Sequence, residues 1–205
     1  MRGRNLILLP ISIKHIRLPH KGTIMNEKPI LFSSPMVRAI LAGQKSETRR
    51  VCKLEGLEES EAYEDGNGDI VDPVIFCPYG KAGDHLWVRE TFWIVAGDNV
   101  NTDFGIKYLA DGTVSYWRDN ADEMDYPIDE KKRPSIFMPR KFSRITLEIV
   151  NINVERLQDM TLDDCNAEGF ICAEDFIELW DTIHKKDGMT FDKNPFCWVL
   201  TFKVI

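Results

Sequence analysis

No two cysteines in this chain form a C-x-x-C pair, and the five present (Cys52, Cys77, Cys165, Cys172, Cys197) are an odd number. A disulfide framework or a structural zinc centre is therefore not expected; buried, reduced thiols of a cytoplasmic protein are. The four histidines (His15, His20, His85, His184) show no metal-ligand spacing, so no metal is called for. Long apolar runs are also lacking. LILLPISI, from Leu6 to Ile13, falls well short of the ~20 residues that span a bilayer, and no membrane partner is expected. There is no internal repeat and no low-complexity tract. Basic residues are in deficit, 26 against 33 acidic, for a net charge of −7. The deficit is uneven: residues 1–25 hold five basic and no acidic side chains, which leaves 21 basic against 33 acidic in the rest. An acidic body argues against sequence-blind binding to a phosphate backbone, though not against a small basic pocket for a nucleotide or a short RNA.

What the chain does have is a core. At 205 residues and 43% hydrophobic, it is long enough and apolar enough for one domain. The first 25 residues read as a disordered arm or as an upstream mis-called start, with Met25 as the alternative first residue. The domain proper is 26–205. Two polar surface insertions interrupt it, near 54–72 and near 98–134.

The order of elements is mainly β. Lys28–Ser33 reads as a strand. Ser34 as N-cap with Pro35 behind it opens a helix whose apolar face is Met36, Val37, Ile40 and Leu41, and Gly43 stops it. Alternation over 86–95 predicts a single central strand. Residues 105–110 form another strand, with Asp111-Gly112 as a turn. ITLEIVNINV (145–154) is a long strand. Thr161 is a helix N-cap with Asp163 and Asp164 in the first turn, where the dipole favours acids, and Gly169 ends that helix. A further helix covers about 173–184, and FCWVLTFKVI (196–205) closes the chain as a strand. The pattern is a mainly β (α+β) fold with short helices at the ends of a small barrel.

The stretch LAGQKSETRRV (41–51) carries the chemistry. After the glycine stop come Lys45, Thr48, Arg49 and Arg50. If the segment is extended, Lys45 and Thr48 point to opposite faces while Thr48 and Arg50 share one; in a turn, Lys45 and Thr48 converge. The plain alternative is a solvated basic loop. The pattern G-x-K-x-x-T-x-R after a short helix resembles the ASCH family of PUA-like β-barrels. GDHLWVRET (83–91), RITLEIVNINVERLQDMTLDDCNAEGF (144–170) and WVLTFKVI (198–205) resemble the family's other segments in the same order, and the longer phage and prophage members are the nearest in form.

The resemblance implies a PUA-like ASCH barrel acting on RNA or a modified nucleoside. It implies no cofactor. One branch of the family removes acetyl groups from acetylated cytidine with a Lys/Thr/Glu set, which on the matching positions is Lys45, Thr48 and Glu168. Glu168 is placed by counting from Thr161. In that chemistry the lysine takes the threonine proton, provided its pKa is lowered, and the glutamate serves the leaving amine. Arg50 and Arg49 are candidates for an oxyanion or a phosphate, Tyr79 for a ligand wall, and Glu90 for a substrate contact or a structural ion pair. A non-catalytic RNA-binding module, or a ribonuclease, would use the same cationic cleft. Arg140, Lys141 and Arg144 form a basic patch that fits either an RNA contact or a charged strand edge.

Overall fold

The computed structural model describes residues 25–54, 57, 63–64, 70–97, 104–117 and 128–205. The expected arm or alternative start at 1–25 lies outside these except for Met25, as do most of the acidic insertion and much of the second one.

Five strands form the main sheet. They are β1 (Glu27–Leu31), β2 (Glu47–Val51), β5 (His85–Arg89), β9 (Thr146–Arg156) and β10 (Phe196–Val204), in the order β1-β5-β9-β10-β2. β1 lies parallel to β5, and the other pairings are antiparallel. A separate three-stranded meander holds β6 (Phe92–Ala96), β7 (Phe104–Tyr108) and β8 (Val114–Trp117). A two-residue ladder pairs β3 (Tyr63–Glu64) with β4 (Ile70–Val71). The helices are α1 (Ser34–Leu41), α2 (Leu162–Ala167) and α3 (Ala173–His184). The fold is mainly β with short helices, as expected. Among the described residues the expected barrel is not closed: β1 and β2 are the two edges of the main sheet.

The expected strand over 86–95 is two strands in two sheets. β5 pairs with β1 and β9. At Glu90-Thr91 the chain leaves that sheet, and Phe92 begins pairing with β7. The buried Glu90 marks the crossing, held by Nε and Nη2 of the Arg144 guanidinium at 2.8 and 3.1 Å. The apolar alternation runs straight through this point, so periodicity alone cannot show the break.

The two faces of β10 organise the core. Trp198, Leu200 and Phe202 face a cluster with Val37 and Ile40 of α1, Leu86, Val88, Leu147 and Ile149. Cys197 faces the other way, onto Leu157, Cys165, Phe176 and Trp180 beneath α2 and α3. Burying side chains of this size contributes about 1.5–3 kcal/mol each. The meander has its own cluster of Phe92, Ile94, Phe104, Ile106 and Tyr108 against Met138 and Phe142. Among the described residues no helix is long and apolar enough to cross a membrane.

Candidate active site

Helix α1 begins one residue earlier than its sequence suggests, with Ser33 rather than Ser34 as N-cap and no side-chain bond there. It stops as expected at Gly43, whose φ of 69° suits a residue without Cβ. The chain then folds back: the Gln44 and Lys45 N–H groups both donate to the Ala39 carbonyl, at 2.8 and 3.1 Å. Ser46 N–H donates to the Ala167 carbonyl of α2 at 2.8 Å, and β2 starts at Glu47. Lys45 therefore comes from a turn and Thr48 from a strand.

The turn delivers Lys45 to Glu168. Lys45 Nζ donates to Glu168 Oε2 at 2.5 Å and to the Glu168 carbonyl at 2.8 Å. The other carboxylate oxygen, Oε1, accepts the backbone N–H of Arg49 at 2.5 Å. Lys45 and Glu168 are 2% and 3% exposed. Burial pushes the Lys45 ammonium below its ordinary 10.5; Glu168 pulls the other way without cancelling it. Glu168 is the C-cap of α2, an end that disfavours an acid, and the lysine offsets this. The helix start is as read: Thr161 accepts from Asp164 N–H, and Asp164 returns a bond to Thr161 N–H at 2.8 Å.

Alternation along β2 separates the two arginines. Thr48 and Arg50 pair with Leu200 and Trp198 and share their face. Arg50 stacks on the Phe32 ring at 5.1 Å and donates to the Leu31 carbonyl at 2.8 Å. The Lys45 ammonium approaches the same ring, at 5.7 Å. Thr48 is 0% exposed, and its hydroxyl has no hydrogen-bond partner among the described residues. Arg49 goes to the opposite face, where its buried guanidinium meets Glu47 at 2.5 Å, Asp164 at 3.3 Å, Glu155 at 3.6 Å and Glu168 at 3.8 Å. That side chain is engaged by four carboxylates rather than offered to a ligand. Burial pushes the Glu47 carboxyl up, against the pull of Arg49.

Glu168, Arg49 and Arg50 line a cleft of about 480 Å³. Its walls are Phe32 and Met36, Tyr79, Phe170, and the α3 face with Phe176 and Trp180. Tyr79, the expected ligand wall, is part of this lining. Lys45 and Thr48 are not part of this lining; Lys45 meets it through Glu168. Glu90 is not in the cleft either; its carboxylate is held by Arg144. The α3 wall was missed from sequence, although Phe176, Leu179, Trp180 and Ile183 follow the spacing of one helical face. Among the described residues no group of three or more His, Cys, Asp or Glu could hold a metal ion.

The expected basic patch is largely neutralised. Arg140 pairs with Glu27 at 2.6 Å, and Arg144 with Glu90 and Asp111, both at 2.8 Å. The Asp111 carboxyl is pulled down to about 2, chiefly by its bond from Arg144.

Over most of its length the chain is similar to an ASCH domain. The solved structure is from Lactobacillus crispatus, at 12% identity and a TM-score of 0.42, covering 87% of this chain and 79% of that one. A DUF984 protein from Enterococcus faecalis is similar at 9% identity and a TM-score of 0.41, covering 89% and 81%. No protein-family model matches the sequence, and no curated protein does. Likenesses this distant say nothing of chemistry, so function rests on the geometry of the cleft.

Gly169 follows Glu168 in the left-handed region. Its φ is 90°, and an added Cβ would meet Ala39 Cβ at 3.1 Å and Lys45 Cβ at 3.3 Å. Gly169→Ala is expected to cost about 1–3 kcal/mol from left-handed strain and crowding. The midpoint of urea denaturation measures it; an unchanged midpoint would mean the turn relaxes freely.

Proposed function

We propose that the chain is an ASCH-type protein that binds an N-acylated cytidine or a similar modified nucleoside in this cleft and hydrolyses its amide. The observation that carries the reading is the buried Lys45–Glu168 pair, whose glutamate lines an aromatic-walled cleft, together with the buried Thr48 hydroxyl three residues on, which has no partner among the described residues. In this scheme neutral Lys45 takes the Thr48 proton, and Oγ1 attacks the acyl carbon. Arg50 steadies the developing oxyanion. The C–N bond then breaks, and a proton passes from the lysine, by way of Glu168, to the leaving amine. Water releases the acyl group from Thr48. Because Thr48 is wholly covered, attack requires the cover to open. Arg50, stacked on Phe32 and on the same face, is the side chain placed to move.

That burial also favours a second reading, a binding module that recognises the nucleoside without turning it over. One assay separates them: the full chain is incubated with N-acetylcytidine, and cytidine release is followed by chromatography. Release supports hydrolysis; binding without release supports the module. The pairing of surface arginines favours a small ligand over a long RNA, whose affinity would fall steeply with salt.

The pH profile gives a further check. Lys45 must be neutral to act, and burial lowers its pKa from 10.5. Turnover is expected to rise with pH along a limb whose midpoint lies below 10.5. A limb falling over that range would remove Lys45 as the base.

A further inference from the structure

Another part of the cleft lining has a character different from the Lys45–Glu168 pair. α3 presents Phe176, Leu179, Trp180 and Ile183 to it. Ile183 is 53% exposed, and Leu31 on the lip is 46% exposed. The basic side chains on the lining are few: Arg49 is held by carboxylates, His184 lies 3.1 Å from Asp187, and Arg50, on the Leu31 carbonyl and the Phe32 ring, is the one the hydrolytic scheme uses for the oxyanion. A phosphate would find no built receptor there, whereas an apolar group would cover aliphatic surface that is otherwise left in water. A volume near 480 Å³ suits a drug-sized ligand.

We propose that the substrate is an uncharged nucleoside whose amide carries an apolar acyl group larger than acetyl, seated against Leu179 and Ile183 of α3 and Leu31 of the lip. This rests on the hydrolase reading of the same cleft. The reacting carbonyl lies at Glu168, and the acyl chain runs along the helix. Each methylene that reaches the wall adds to discrimination, by ~10-fold or more in a well-packed hydrophobic pocket.

The experiment compares N4-acetylcytidine with N4-hexanoylcytidine on the full chain. The expected result is a kcat/KM for the hexanoyl compound at least ~10-fold higher, mostly through KM. Ile183→Asp and Leu31→Asp, both at exposed positions that tolerate a charge, should bring that ratio to about one. A ratio at or below unity in a wild type that cleaves the acetyl compound overturns the apolar subsite and leaves the hydrolase reading standing. If neither amide is cleaved, the hydrolase reading fails, and calorimetry decides on the subsite. Tighter binding of hexanoylcytidine than of cytidine, erased by Ile183→Asp, supports it; equal binding of the two overturns it.

Discussion

Thr48→Val is expected to abolish amide hydrolysis while leaving the protein as stable as before or more so. Valine keeps the shape of threonine and removes only the hydroxyl. If Oγ1 is the nucleophile, turnover falls at least ~10³-fold, because no neighbouring group replaces a lost nucleophile. Stability moves the other way. The hydroxyl is wholly buried on the face shared with Leu200 and Trp198 and has no partner among the described residues. An unsatisfied buried polar group costs about 1–3 kcal/mol, so its removal should stabilise the fold by about 1 kcal/mol. Loss of activity by collapse of the site would instead show as a lower unfolding midpoint. Chemical denaturation beside the cytidine-release assay distinguishes the two. Retained turnover would remove Thr48 from the chemistry and leave the cleft as a binding site.

Why a protein would keep such a hydroxyl bears on this. A group that weakens the fold and has no partner among the described residues is the kind of local inconsistency that gathers at working sites. The same holds for Lys45, an ammonium taken almost wholly out of water and only partly compensated by Glu168. Two unfavourable groups from one turn-and-strand segment are easier to explain by a shared task than by packing.

Much of this was legible in the sequence because it depends on local chemistry. The stop at Gly43, Thr161 as the N-cap of α2 and the span of α3 each follow from residues a few positions apart. Counting from Thr161 put Glu168 at the end of α2, and the structure brings it to Lys45 across 123 residues. The sheet crossing at Glu90 was not legible: its cause, Arg144, lies 54 residues away and leaves the alternation intact. The different roles of Arg49 and Arg50 were half legible. Strand alternation sends neighbours to opposite faces, but which face held carboxylates depended on Glu155 and Asp164, from other elements. That the barrel stays open among the described residues was not legible for a similar reason. Strand content gives no closure condition, and the described strands divide between sheets.

Arg49→Met should produce the largest loss of stability, about 3–5 kcal/mol at neutral pH. The guanidinium is 1% exposed by side chain and is the shared counter-charge of Glu47, Asp164, Glu155 and Glu168. Glu155 and Asp164 are about a third exposed (34% and 30%), so water shields part of the repulsion and the lower end of that range is the better expectation. The loss should depend on pH with a definite sign. Burial already raises the Glu47 carboxyl above 4.5, and Arg49 opposes the rise. Without Arg49 the raised value climbs further. Between 4.5 and that value the folded protein holds a proton that the unfolded chain has released, so stability falls as pH rises through the window. The variant should therefore regain part of its stability as the medium is made mildly acidic, and by more than the wild type does. Urea denaturation of both proteins at neutral and mildly acidic pH measures this. An equal pH response in the two would mean that Arg49 does not hold the cluster, and that Glu168 is positioned by Lys45 and the β2 backbone alone.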